Sequence, residues 1–450
     1  MSGSTKRIIV TCLVIFIICL CLGTVAAGVA GWYAYQNAPQ LLTGNRCAGI
    51  PNPNPALDTT GQMDLIESQV GVLRGLTASS PVDRGFLTNE ELNQRVLTDF
   101  FKDFTDEDEI TQVRVLAALG LLDKNFDLKK FYIDLYSEQI AGFYDQDTKE
   151  MVVINSGSFG GSQRMTYAHE YTHVLQDQTY DIQDGLNVNE DSCEKDSERC
   201  AAITALLEGD ASLTESRWFS THATKQDCED VTNFYLTFQS PMFEAAPAYM
   251  QQDFIFPYVQ GKDFVQSLYD AGGQAGVDAA YTNQPQTTEQ ILHPERYPND
   301  KPVTVETPDL TGALGAGWIE IDRGVMGEWY TYLVLAFGLN PEAQIAGDEA
   351  QQAAEGWGGD QYVVYYNETE QKAALVLKTT WDDLSEANQF SQTFKTYAGL
   401  RFGPPTAEGQ ARWETGEGLT AFYQKAETTY WLMTASAAQL DAVLQEMELP

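Results

Sequence analysis

Apolar side chains recur every three or four residues along most of the chain up to about residue 300, and this spacing predicts amphipathic helices. Met63, Ile66, Val70 and Leu73 mark the first helix, and a Thr-x-x-Glu capping box at residues 88–91 opens the second. We predict the helices after the first over residues 88–104, 105–119, 128–140, 162–178, 201–222, 245–260, 262–271 and 287–292.

Short strands are predicted at two places among these helices. Residues 81–87 form one, and residues 141–144 and 150–154 form a hairpin around the polar turn 145–148. Because the hairpin directly precedes the helix over 162–178, we expect a free strand edge beside that helix, where an extended peptide can pair with the backbone.

From about residue 309 the pattern changes to longer strands that alternate with helices. The predicted strands are 318–322, 361–366, 373–378, 419–426 and 429–433, and the predicted helices are 325–337, 385–397 and 437–447. This region contains neither histidine nor cysteine. We therefore predict an α+β sandwich domain over residues 309–450 without a catalytic role, after a mainly helical domain over 61–308.

The N-terminus carries a run of uncharged residues long enough to cross a bilayer. We predict a cytoplasmic tail over 1–7, a transmembrane signal anchor over 8–32 and a stalk over 33–60. Lys6 and Arg7 favour a cytoplasmic N-terminus, which places the remainder outside a cell membrane that the chain crosses once. A cleaved signal peptide ending near Val25-Ala26-Ala27 is the alternative, and a lipid anchor is a third.

Net charge and cysteine content limit the compartments in which the protein can work and the classes of partner it can bind. The net charge of −37 excludes nucleic acid as a natural partner. Four cysteines follow the apolar run, and outside the cell they predict two disulfides among three possible pairings. Cys193 and Cys200 flank a short charged loop and are the expected local pair, which leaves Cys47 for Cys228.

The motif that organises the candidate chemistry is His169-Glu170-Tyr171-Thr172-His173. On a helix, histidines four residues apart leave the same face and can bind one Zn²⁺, while Glu170 stands at the rim of that face. Zinc lowers the pKa of a bound water, and a carboxylate beside it can act as general base. A helix that merely contains two histidines is the alternative. Ser162 is the predicted N-cap of this helix.

A catalytic zinc needs a third protein ligand. The H-E-x-x-H-x-x-G-x-x-H pattern, which would supply a third histidine, is not met, because Gln176 and Thr179 stand at the positions of its glycine and its third histidine. Glu208, in an otherwise small and apolar stretch, is the preferred candidate, with Asp210 and Glu215 as alternatives. The neighbouring Gly209 permits another helix to approach closely.

His169-Glu170-x-x-His173 together with Glu208-Gly209-Asp210-Ala211 resembles the gluzincin branch of the zincin metallopeptidases. The chain resembles more closely a group of uncharacterised bacterial membrane proteins of the peptidase MA-like type, through these motifs and those at residues 142–145, 175–178 and 288–294. The resemblance implies a mainly helical zincin-like fold with a small edge sheet, zinc on the two histidines and Glu208, and Glu170 as base. The thermolysin pattern has an aspartate four residues after the glutamate ligand, where this chain has Ser212. Asp210 and Asp177 therefore remain as candidate partners for the histidines.

Peptide hydrolysis also needs a hydrogen-bond donor for the developing oxyanion. His293, Tyr297 and Tyr258 are the candidates, and His222 is a weaker one. These observations predict a membrane-anchored extracytoplasmic zinc metalloprotease that acts on proteins or peptides. Two alternatives stay open. One is a zincin-fold surface protein that binds or senses partners, and the other is a zinc hydrolase of non-peptide amides.

Overall fold

The computed structural model describes residues 47–102, 104–139, 142–154, 159–407 and 411–450. The predicted cytoplasmic tail and transmembrane anchor, and the stalk up to residue 46, lie outside these ranges. Within them, no helix combines the length and the apolar character needed to cross a bilayer.

The protein is α+β, and its part before residue 310 is mainly helical, as predicted. The helices of this part are α1 (Thr59–Arg74), α2 (Asn89–Arg95, continued by a π-helical turn over Val96–Phe100), α3 (Asp106–Leu119), α4 (Leu128–Gln139), α5 (Gly161–Tyr180), α6 (Glu190–Lys195), α7 (Ser197–His222), α8 (Lys225–Thr237), α9 (Pro241–Glu244), α10 (Ala248–Thr282) and α11 (Thr288–Leu292). The two predicted helices over 245–271 are one helix, α10, which bends at Gly273.

Local capping explains where several of these helices begin. The predicted capping box of Thr88 and Glu91 opens α2. The N-cap prediction for α5 was wrong by two residues, because α5 begins at Gly161 and Gly160 is its N-cap. A side chain at Gly161 would lie 2.5 Å from the backbone of Asp227 in α8, so glycine lets α8 pack against the start of α5.

A three-stranded sheet precedes α5. Its strands are β1 (Asp83–Leu87), β2 (Gly142–Asp145) and β3 (Glu150–Ile154), in the order β1-β3-β2. The predicted hairpin of β2 and β3 is confirmed, while β1 pairs with β3 in parallel. Since β3 is paired on both sides, β1 and β2 are the outer strands of this sheet.

The part after residue 310 is built on a six-stranded antiparallel sheet of order β4-β5-β6-β9-β8-β7. Its elements are α12 (Thr311–Leu314), β4 (Trp318–Gly324), α13 (Gly327–Ala336), α14 (Gly347–Ala354), β5 (Trp357–Asn367), β6 (Lys372–Trp381), α15 (Leu384–Phe402), β7 (Arg412–Thr415), β8 (Gly418–Lys425), β9 (Thr428–Thr434) and α16 (Ala437–Glu446). The five predicted strands are confirmed, and β7, α12 and α14 are additional.

Helices cover both faces of this sheet, which explains why its central strands read as nearly continuous apolar runs. Val363 and Tyr365 of β5 point to the face that packs on α12 and α16. Tyr362 and Val364 point to the opposite face and join the large core cluster that contains α13 and α15. Successive strand residues thus serve two cores, as the two-residue period of a strand requires.

The large core cluster continues across the predicted boundary at residues 308 and 309. It contains buried side chains of α3, α4, α7 and α10 together with those of α13, α15 and the six-stranded sheet. Arg401 of α15 donates to the carbonyls of Ala118 and Leu119 at the end of α3, where a cation also complements the helix dipole. The two regions are therefore packed together, and the boundary stays a prediction.

Buried carboxylates are concentrated where the two regions meet, and we call this set the junction carboxylates: Glu198, Asp253, Glu289, Glu328 and Asp360. Burial raises the pKa of Glu198 to about 8, although hydrogen bonds from Thr288 oppose the shift. Burial likewise raises the pKa of Asp360 to about 6, against three hydrogen bonds that lower it. Near neutral pH, Glu198 therefore holds a proton that the unfolded chain would release.

Helices α7 and α10 approach each other closely where they cross. A Cβ atom on Gly209 would lie 2.2 Å from backbone atoms of Gly261, and one on Gly261 would lie 2.2 Å from the carbonyl oxygen of Ala205. The predicted close approach at Gly209 is confirmed. It holds the two helices backbone to backbone one residue away from Glu208.

We expect Gly209→Ala to lower the free energy of unfolding by about 1–3 kcal/mol, the usual cost of overpacking, because neither backbone can yield to the new methyl group. Denaturant unfolding measures it. Gly399→Ala is the matched control, because Gly399 lies in α15 with open space around its Cβ position. That change should raise the free energy of unfolding by about 0.5–1 kcal/mol instead. Equal effects of the two changes on stability would contradict the packing argument.

Glu198 should make stability fall with rising pH. The folded state binds its proton up to about pH 8 and the unfolded state only to about 4.5, so the folded state loses about 1.4 kcal/mol per pH unit between these values. Glu198→Gln keeps an acceptor for Thr288 and removes the titration. In denaturant unfolding from pH 4 to 9, the free energy of unfolding of the variant should rise relative to that of the parent above about pH 5. The difference should stop growing near pH 8. Parallel curves would contradict this assignment.

Candidate metal centre

Three side chains from two helices converge on one point. His169 and His173 lie one turn apart on α5, and Glu208 reaches them from α7. His169 Nε2 lies 3.1 Å from Glu208 Oε2, His173 Nε2 lies 3.3 Å from the same oxygen, and the two nitrogens are 3.2 Å apart. All three side chains are buried, with at most 2% of the residue exposed. We call this set the triad.

The spacing of the triad fits a tetrahedral zinc ion. Ligand atoms about 2.0–2.1 Å from such an ion are about 3.3 Å from one another. The observed separations of 3.1, 3.2 and 3.3 Å between the three facing atoms match that value. Two imidazoles and one carboxylate are also a donor set of catalytic zinc sites with an open fourth position.

Charge favours a cation at the same point. Burial alone would lower the pKa of His169, but the hydrogen bonds to Glu208 and Glu215 outweigh it and raise that pKa to about 10. Burial would likewise raise the pKa of Glu208, yet His173 and His169 lower it. The centre is therefore stabilised by positive charge, which a proton or a metal ion can supply in competition.

Glu170 lies beside the triad without belonging to it. It is completely buried, and neither of its carboxylate oxygens has a hydrogen-bond partner within the described structure. Burial raises its pKa to about 7, while the neighbouring histidines act in the opposite direction. A buried carboxylate without a partner is costly, so its retention here points to a ligand or a water that it would contact.

The structure does not bring every predicted site residue to the triad. His293 Nε2 lies 2.8 Å from Glu328 Oε1 of α13, and the hydroxyl of Tyr297 donates to the carbonyl of Asn283. None of the described hydrogen bonds, ion pairs or ring contacts joins either residue to the triad. Tyr258 is the predicted oxyanion donor that does approach, since its ring stacks on His169 with centroids 6.2 Å apart. His222 lies at the far end of α7, in its last turn.

Two partners of the histidines were not anticipated. Glu215 Oε2 lies 3.1 Å from His169 Nδ1, although the sequence suggested it only as a ligand. Gln176 Oε1 lies 2.8 Å from His173 Nδ1. Their spacing carries the signal, because position 215 is two turns beyond Glu208 on one face and position 176 is three residues beyond His173. The predicted partner Asp177 instead accepts from Tyr144 and Lys149.

A second group of carboxylates lies close enough together to be considered as a metal site. Glu289, Asp300 and Asp382 place oxygens within 4.8 Å of one another. The guanidinium of Arg296 lies among them and pairs with all three. A side-chain cation thus lies where a metal ion would bind, and we assign the group no metal.

Comparison with known proteins concerns the C-terminal part of the chain. Residues 317–444 match a domain of unknown function, DUF8575. The match begins at β4 and ends in α16, so it covers the six-stranded sheet and leaves α5 and α7 outside. The chain matches no curated protein and no solved structure.

We expect Glu208→Ala to lower the zinc content of the purified protein from about one ion per chain to well below one, because the variant leaves two protein ligands where a catalytic zinc site has three and one open position. Elemental analysis after dialysis against a weak chelator measures this. Glu215→Ala should keep partial occupancy, since loss of an outer partner costs about 10–100-fold in affinity. Undiminished zinc in Glu208→Ala would place the third ligand elsewhere.

Proposed function

We propose that this protein is a zinc-dependent metallopeptidase with a zincin-like catalytic region. One observation carries the proposal: three ligand atoms at tetrahedral spacing face one another beside a carboxylate, Glu170, that has no other described partner. Without a metal ion these atoms avoid repulsion only if a ring nitrogen carries a proton toward Glu208, and the buried carboxylate of Glu170 still lacks a partner in the described structure, which is destabilising. A bound cation and a water beside it would satisfy all four groups.

In this proposal each residue has one task. His169, His173 and Glu208 hold the ion, which when bound supplies an acidic water and polarises the scissile carbonyl. Glu170 accepts the proton of the attacking water and passes it to the leaving amine, a role that suits a carboxylate whose pKa burial has raised to about 7. We assign Tyr258, stacked on His169, as the donor toward the developing oxyanion, in place of His293 and Tyr297.

The burial of the site bears on how a substrate would enter. Glu170 and the triad expose at most 2% of their surfaces, so the covering side chains have to move before a peptide can reach them. Tyr258 of α10 is one such cover. Complete burial is also what a purely structural zinc site shows, and it favours a second candidate function, a zincin-fold surface protein that binds partners without turnover.

We also propose an extracytoplasmic location on a membrane. Two disulfides, Cys47–Cys228 and Cys193–Cys200, support it, because such bonds persist in oxidising compartments. Both pairings agree with the sequence prediction. The anchor itself is the predicted segment 8–32, which lies outside the described residues.

Glu170→Gln should keep about one zinc per chain and lose peptide hydrolysis by at least about 10²-fold, because the amide has the same shape and cannot accept the proton. The test uses the full chain in detergent, a mixture of unfolded proteins as substrate, and new amino termini as the readout. Glu244→Gln, at an exposed position on α9, is the matched control and should retain full activity.

The two candidate functions give different results in that experiment. Hydrolysis by the parent that Glu170→Gln abolishes supports the peptidase. Zinc in both proteins with hydrolysis in neither supports the surface binding protein. Full activity in Glu170→Gln would contradict the role of the base.

A further inference from the structure

The two histidines of the triad are held by different chemical groups. His169 Nδ1 faces a carboxylate, Glu215, whereas His173 Nδ1 faces the side-chain amide of Gln176 at 2.8 Å. An ionised carboxylate can only accept a hydrogen bond, but an amide presents either its oxygen or its NH₂ group. The role of Gln176 therefore depends on which end of the amide points toward His173.

The surroundings of Gln176 decide that orientation. Its nitrogen lies 3.0 Å from the carbonyl oxygen of Leu207 and 3.1 Å from Asp210 Oδ2, and both are acceptors. A flipped amide would set its oxygen against these two oxygens and lose two hydrogen bonds. The amide oxygen must therefore face His173, and the hydrogen between them must be carried by Nδ1. In the neutral ring the lone pair of His173 is then on Nε2, the atom that faces Glu208.

Asp210 is itself fixed by groups from two other helices. Arg74 of α1 donates through Nε to Asp210 Oδ2 at 2.7 Å, and Tyr281 of α10 donates to the same oxygen at 2.7 Å. Arg74 is completely buried, and Asp210 is nearly so. The chain of contacts from Arg74 through Asp210 and Gln176 to His173 has little freedom to rearrange, because each group in it is out of water.

We propose that Gln176 is a positioning residue that fixes the proton of His173 on Nδ1 and so presents Nε2 to the metal. The inference deepens the proposed function, because it assigns the device that prepares one zinc ligand, and it rests on the proposal that the triad binds zinc. It also makes the buried pair of Arg74 and Asp210 part of the metal centre, although neither touches the ion.

The first test observes the proton directly. In protein labelled with ¹⁵N-histidine, His173 should show an Nδ1–H resonance protected from exchange with water, whether Nε2 carries zinc or a proton. Gln176→Leu should lose that protection. Gln176→Glu should keep it, because a protonated carboxyl group at this position can accept from Nδ1 and donate to Asp210, as the amide does. Absence of a protected His173 Nδ1–H in the parent would overturn the proposal without any variant.

The second test measures the consequence for the metal. Competition with a chelator should show zinc binding about 10–100-fold weaker in Gln176→Leu than in the parent. Gln178→Leu is the matched control on the same helix. Gln178 pairs with the loop at Ser79 and Ser80, so its loss should leave zinc affinity unchanged. Unchanged affinity in Gln176→Leu, with the ring proton still protected, would overturn the proposal.

These readouts separate the inference from the function beneath it. A parent that binds zinc and shows the protected proton but cleaves no peptide contradicts the peptidase and leaves Gln176 in its role. A parent that binds no zinc contradicts both. If Gln176→Leu does not fold, as far-ultraviolet circular dichroism would show, the resonance in the parent and in Gln176→Glu decides the matter.

Discussion

The site depends most on one electrostatic constraint, the meeting of His169, His173 and Glu208 at hydrogen-bond distance in the buried contact between α5 and α7. At this spacing the facing atoms repel one another unless a proton or a metal ion lies between them. Water cannot relieve the repulsion by screening, because the groups are buried. Close packing of α7 on α10, where Gly209 meets Gly261, helps to hold Glu208 in this position.

The sequence predicted the parts of the site that depend on local geometry. The spacing in His169-Glu170-x-x-His173 places two imidazoles on one face of any helix, and an acid in an apolar stretch marks Glu208, so both could be found without a fold. The strands of the C-terminal sheet could be found in the same way, since buried strands appear as apolar runs.

The rest could not be read from local patterns, because it depends on which elements meet. His293 looked suitable as an oxyanion donor in isolation, yet the fold turns it toward Glu328 at the junction of the two regions. Gln176 looked like a failed match to a longer zinc motif, and its role becomes visible only when Asp210 and Leu207 lie beside it. Likewise β1 comes from a distant part of the chain and occupies the edge of β3 that the sequence left open.

The disulfide between Cys47 and Cys228 has a consequence for shedding from a surface. It joins the first described residue to α8, which packs against the start of the helix that carries both histidines. In a chain held by the proposed anchor over residues 8–32, a cut between Cys47 and α1 would therefore release nothing, because the part after the cut stays tied through Cys228 to the segment before it. Release by that cut would also require a reductant, whereas a cut between the proposed anchor and Cys47 would need none.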